Sequence, residues 1–147
     1  MDAGRLSGEA VAALLPQQGA MCLIDAVERY DASSIVCSSA RHVDPGNPLR
    51  EGGQLSSLAG IEFAAQAMAA HGALLAGGRP LPGWLARVRD CVVSCERMDD
   101  LPSPLRIEAE RVAGGERALS YSFVVKAGDL LVVHGSMLIA LDPEAPR

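Results

Sequence analysis

Between residues 55 and 76 the chain is apolar or small at almost every position. Ser56 or Ser57 can cap the start, because a serine oxygen accepts from an orphan backbone N–H. Gly77-Gly78 and then Pro80 stop the run, with a left-handed turn followed by a missing donor. Such a helix is about 30 Å long. Leu58, Ile61, Ala65, Met68 and Gly72 share one face, and the opposite side carries Ala64, Ala67 and His71, which is barely polar. A helix apolar nearly all round is predicted to be buried on more than one side.

Elsewhere the pattern has period two. It predicts a strand over 21–30, with Cys22, Ile24 and Ala26 on one side and Leu23, Asp25 and Val27 on the other. A turn at 31–33 and a second strand over 34–43 complete a hairpin. Residues 44–54 are rich in Pro and Gly and read as a loop. After the helix come strands over 85–98, 105–112, 119–126 and 130–141, arranged as a meander, with Gly128-Asp129 as a tight hairpin turn. A short helix over 8–15, opened by Ser7 and ended by Pro16, precedes everything. The predicted class is α+β: one domain over 1–147 with a short tail at 143–147, its long central helix wrapped by a curved antiparallel sheet of about six strands.

Composition narrows the function classes. The chain has 147 residues, 49% of them hydrophobic, enough for one proper core. A net charge of -5 lacks the basic stripe that nucleic acid requires. Glu62 interrupts the longest apolar run and the first five residues lack a leader's apolar core, so no membrane association and a cytoplasmic location are expected. Cys22, Cys37, Cys91 and Cys95 are expected to be reduced core residues. Placed on one strand face, Cys91 and Cys95 stand about 13 Å apart, too far for a disulfide. No metal spacing and no cofactor motif is present.

The chemistry concentrates in the helix. Glu62 lies about 40° from Leu58 around the axis, at the edge of the apolar arc, and Gln66 follows one turn later. A carboxylate in a buried helix is costly unless it is paired or used.

Gly60-Ile61-Glu62-Phe63-Ala64-Ala65-Gln66-Ala67 resembles the central-helix motif of hotdog-fold 3-hydroxyacyl-(acyl carrier protein) dehydratases, in which glutamate or aspartate precedes glutamine by four residues. Leu15-Pro16-Gln17-Gln18-Gly19-Ala20-Met21-Cys22-Leu23-Ile24-Asp25 is similar to that family's Leu-Pro-His-Arg-x-Pro-Met/Phe-Leu-Leu-x-Asp opening. The likeness covers most of the chain and is nearest to the divergent dehydratase-like proteins of aryl polyene pathways. It implies a hotdog fold, subunits paired edge to edge, and tunnels for acyl chains at their interface.

It also implies roles. In these dehydratases a loop histidine is the base and the helix carboxylate, from the other subunit, is the acid. Glu62 takes the acid's place. The loop that should read Gly-His-Phe-Pro is here Pro48-Leu49-Arg50-Glu51-Gly52-Gly53, and Gln17 replaces the opening motif's histidine. His42, just before that loop, is the candidate base in this chain. Gln66, Gln17, Gly53, Ser56 and Ser57 are candidate substrate-binding residues, the helix start holding the thioester carbonyl. Arg79, Arg87 and Arg89 are candidates for binding an acidic carrier protein. The expected partners are acyl carrier protein or acyl-CoA thioester, with a homodimer or a heterodimer with a related dehydratase. Three readings stay open: an active dehydratase of fatty-acid or polyene-type biosynthesis, a catalytically impaired partner of an active one, and a hotdog acyl thioesterase using Glu62 with water.

Overall fold

The computed structural model describes residues 4–80 and 83–141, with backbone alone for 83–86. The expected hairpin forms from β2 (Ala26–Tyr30) and β3 (Ser34–Ser39), both shorter than the alternation suggests. The strand expected from residue 21 begins late because Gly19–Met21 form a 3-10 turn and the next backbone groups bond to a side chain instead of a neighbouring strand. Ser7 caps nothing. Leu6–Ser7 form a short strand, β1, that pairs with Ala26 and Val27 of β2, and the following helix, α1, runs only from Glu9 to Ala12 with Gly8 at its start.

The long helix forms as expected. A 3-10 turn over Ser57–Ala59 leads into α2 (Gly60–Leu75). Ser56 Oγ accepts from Leu58 N at 3.2 Å, and Gly78 N donates back to Ala73 O at 2.8 Å, with Gly77 and Gly78 both at positive φ. The helix is buried on more than one side, as expected, Met68 and Gly72 of the Leu58 face included, but its first turns are buried unevenly. Gly60, Phe63, Ala64, Ala67, Ala70 and His71 are buried, whereas Leu58 is 56% exposed and Ile61 and Ala65 are only half-buried. The reason is close approach. A Cβ added to Gly60 would lie 2.6 Å from Val133 Cγ1, so the sheet can sit this near only on the side of small residues. Ser57–Leu75 has the length and composition of a membrane span, but over half of it is buried within the fold, as for a core helix.

The strands after α2 are β4 (Gly83–Val93), β5 (Leu105–Gly114), β6 (Ala118–Ala127) and β7 (Leu130–Leu141). Only β5, β6 and β7 form a meander. The sheet order is β1-β2-β3-β5-β6-β7-β4, so β4 pairs with β7 at the far edge and never meets β5. The expected four-strand meander is thus corrected: α2 carries the chain across the sheet face, against β3, β5, β6 and β7, before β4 begins on the other side. β4 stops at Val93 because the backbone beyond it turns to serve the helix entry. Ser57 N donates to Glu96 O at 3.0 Å and Met98 N to Leu55 O at 2.9 Å. Seven antiparallel strands against one long helix make the hotdog arrangement. Its core is centred on Phe63, Met68, Tyr121, Phe123, Ile107 and Met137.

All four cysteines are free. Cys37 is buried, which pushes its thiol up to about 12. Cys91, expected in the core, is exposed on β4, and Cys95 lies past that strand's end, so the two do not share a strand.

Candidate active site

Glu62 sits in the first turn of α2, half-buried. Gln66, one turn on and fully buried, donates from Nε2 to Glu62 Oε1 at 3.3 Å. The same amide donates to Met21 O at 2.7 Å, and Gln66 Oε1 accepts from Leu23 N at 2.8 Å. The two motifs read separately in the sequence are therefore physically one: the glutamine of the helix holds the segment that follows Leu15-Pro16-Gln17. It does so with both ends of its amide, which leaves Gln66 a positioning group for Glu62. Gln17 is half-buried. Its backbone carbonyl accepts from Cys22 Sγ, and its side-chain Oε1 is buried with no partner among the described residues.

The helix entry is held tightly. Asp99 Oδ1 accepts from Leu55 N at 2.9 Å and from Arg97 Nε at 3.0 Å. The Arg97 guanidinium first, and the Leu55 N–H second, hold its carboxyl well below the usual range. Ser57 is buried, with its Oγ 3.3 Å from Cys95 Sγ, while Ser56 is exposed and spends its oxygen on the cap. Gly53 is exposed at φ 78, in the turn closed by Glu51 and Gln54, and its carbonyl accepts from Arg50 Nη1 at 2.8 Å. Ser56, Ser57 and Gly53 thus cluster near the start of the helix that carries Glu62, while Arg79, Arg87 and Arg89 lie elsewhere and are exposed.

No histidine of the chain joins Glu62 by a described hydrogen bond. His42 is fully buried, and its Nε2 stands 3.1 Å from Leu101 O and 3.2 Å from Pro102 O. Both carbonyls only accept, so Nε2 carries the proton, and Nδ1 is buried with no partner among the described residues. The ring is thus spent on the 101–102 carbonyls, with no described hydrogen bond to α2. His71 faces the other way round the helix. Its Nε2 donates to Asp31 O at 2.8 Å, so Nδ1 accepts from Tyr121 Oη at 2.7 Å, and that hydroxyl accepts from Arg111 at 2.9 and 3.1 Å. Burial, more than the nearby Arg111, keeps His71 below its ordinary pKa, and burial likewise raises Tyr121. His134 pairs with Val124 and Val92 on the outer side of the sheet, since Val133 on the neighbouring position points at Gly60. The Arg111–Tyr121–His71 chain was not foreseeable from spacing, because three separate elements supply it. Among the described residues no group of three or more His, Cys, Asp or Glu is placed to hold a metal ion.

Comparison with known proteins gives a consistent account. A family model described as ApeP-like, ApeP dehydratase, matches residues 9–145. A chain of the dehydratase heterocomplex ApeI:P from Xenorhabdus doucetiae is similar in structure, with TM-score 0.77 at 18% identity, covering 91% of each chain. Zebrafish thioesterase superfamily member 2 superposes with TM-score 0.63 at 14% identity over 91% of this chain and 94% of its own. A mutant of the Staphylococcus aureus thioesterase SAV0944 gives 0.58 at 14% identity over 80% and 92%. No curated protein matches the chain. At these identities the structural likenesses establish the fold.

Proposed function

The chain belongs to the ApeP-like dehydratase family, and from that premise we propose that it is the acid-bearing subunit of a two-chain 3-hydroxyacyl-thioester dehydratase. The observation that supports this reading is that the loop before α2, residues 44–54, carries no histidine, and that no described hydrogen bond joins Glu62 to one. Dehydration needs a base to take the proton beside the thioester carbonyl and an acid to protonate the departing hydroxyl. Glu62, steadied by Gln66 and half open, suits the second task. His42 and His71 are committed to interior carbonyls, so the base comes from a related dehydratase subunit that carries the loop histidine. The base removes the α-proton, the C–O bond breaks, Glu62 gives its proton to the leaving oxygen, and water and an enoyl thioester result. The start of α2, with Gly53, Ser56 and Ser57 near it, holds the thioester carbonyl through its N–H groups and dipole. The substrate is an acyl carrier protein or acyl-CoA thioester of fatty-acid or polyene-type biosynthesis in the cytoplasm, and exposed Arg79, Arg87 and Arg89 give an acidic carrier its docking charge.

The test is reconstitution. Mixed with a histidine-bearing partner dehydratase and 3-hydroxyacyl carrier protein, the chain forms a complex that produces enoyl thioester, and each protein alone does not. Full dehydration by this chain alone, or a complex indifferent to Glu62→Gln, overturns the assignment. A thioesterase reading has one observation in its favour: water reaches the half-exposed Glu62. Thiol release from acyl-CoA by the chain alone distinguishes it.

A further inference from the structure

Two segments meet at the entry of α2, and their hydrogen bonds leave one backbone donor over. Residues 96–99, past the end of β4, run antiparallel to residues 55–57, with Ser56 opposite Arg97. Met98 N donates to Leu55 O at 2.9 Å and Ser57 N to Glu96 O at 3.0 Å. Leu55 N goes to the Asp99 carboxylate at 2.9 Å, Leu58 N to Ser56 Oγ and Ala59 N to Ser56 O. Across 55–59 only the Ser56 N–H has no acceptor among the described residues. That N–H shares a planar trans peptide with Leu55 O, so it points opposite to it. Leu55 O faces Met98, hence Ser56 N–H faces away from 96–99, on an exposed residue at the start of the helix that carries Glu62.

Asp99 fixes this arrangement. Met98 and Asp99 together hold both peptide planes that flank Leu55, one through its carbonyl and one through its N–H. Leu55 itself is fully buried. The Asp99 side chain is 5% exposed, whereas the other described ion-paired acids are 33% exposed or more, so it is not one more surface pair of little consequence. Its two oxygens take Arg97 Nε and Nη2 as well as Leu55 N, a charge-assisted set with a defined direction. Arg97 also balances its charge, so the hold adds no net negative charge beside an oxygen that gains charge in a reaction.

Resting on the dehydration reading, in which the start of α2 binds the thioester carbonyl, we propose that Asp99 is a positioning residue: by holding Leu55 it aims the Ser56 N–H at that oxygen. Asp99 touches no reacting atom and acts only through the backbone of 55–56.

The test separates the hold, the donor and the reaction. In the labelled chain alone, amide hydrogen exchange at Leu55 should speed up in Asp99→Ala and stay slow in Asp99→Asn, whose Oδ1 still accepts from Leu55 N. In the chain mixed with a histidine-bearing dehydratase, titration with a 3-hydroxyacyl pantetheine thioester should give a saturable shift of the Ser56 amide that Asp99→Ala abolishes. Turnover by the same mixture should fall about tenfold or more in Asp99→Ala, as a displaced donor predicts, with KM and the affinity between the two proteins nearly unchanged. Asp99→Asn should recover most of that loss, which also covers the case in which Asp99→Ala folds poorly. A wild-type mixture that forms no enoyl thioester while the Ser56 shift saturates and depends on Asp99 sinks the dehydration reading and leaves the positioning role standing. A Ser56 amide that does not respond to the thioester overturns the proposal. So does an active mixture whose kcat is the same in Asp99→Ala, or one in which Asp99→Asn keeps Leu55 protected yet is as slow as Asp99→Ala.

Discussion

Glu62 and His71 stand on the same helix, and both are polar residues in an otherwise apolar run, yet their surroundings are opposite in kind. At the His71 end every polar atom has a fixed partner: the ring bridges Asp31 O and Tyr121 Oη, and Arg111 closes the chain. At the Glu62 end the carboxylate has one long hydrogen bond from Gln66 and an open side. A buried polar group costs stability unless satisfied, and a satisfied one is committed to structure. The carboxylate left partly unsatisfied at the edge of the fold keeps hydrogen-bonding capacity free. Two polar residues of one apolar helix thus become a lock at one end and a partly open carboxylate at the other, according to what the neighbouring elements supply.

This contrast breaks if substitutions at the two ends behave alike. The largest expected effect is on rate. In the reconstituted complex Glu62→Gln should lower turnover by about 10²–10⁴-fold, the usual range for a positioned acid. Its melting temperature should hardly change, since the side chain is half-exposed and a glutamine oxygen at 62 can still accept the long bond from Gln66, a change worth about 0.5 kcal/mol or less. Gln66→Leu should damage both properties. It strands Met21 O and Leu23 N, each a cost of about 1–3 kcal/mol, and releases Glu62, read as loss of denaturant midpoint together with a fall in kcat. Tyr121→Phe should do the reverse of Glu62→Gln. It leaves His71 Nδ1 and Arg111 without their shared hydroxyl, costs about 1–3 kcal/mol in a denaturant titration, and spares turnover per folded complex.

The smallest effect is the pH dependence. Burial holds the folded-state pKa of His71 below the ordinary 6.5, so between those two values the unfolded chain binds more protons than the folded one. The stabilisation from neutral His71 is complete above about pH 6.5 and declines as the pH falls toward the folded pKa. Denaturant titrations from pH 7.5 to 5.5 should show this loss, and His71→Gln should flatten it. A wild-type midpoint that rises on acidification through this window would contradict the buried neutral ring.

Several of these features could be read from local pattern. The span of α2, its serine cap and its glycine stop depend on residues within a turn of each other, as do the turns at 31–33 and 128–129. Glu62 stood out because a carboxylate in an apolar helix is conspicuous without any structure. The burial of the helix was also foreseeable, but not which side is more buried. Counting methylenes favours Leu58 and Ile61, whereas the sheet selects Gly60, Ala64 and Ala67 because it must come close.

What the amino-acid order determined alone was therefore short-range: where the backbone coils, where it turns, and which acid is out of place. The position of β4 beside β7, the pairing of Gln66 with residues 21 and 23, and the turning of His42 toward 101–102 were decided only when distant segments met. The physical reason is that these outcomes depend on which backbone groups remain unpaired after the sheet closes. A side chain goes to the nearest orphan donor or acceptor, and no local spacing records where that group will be.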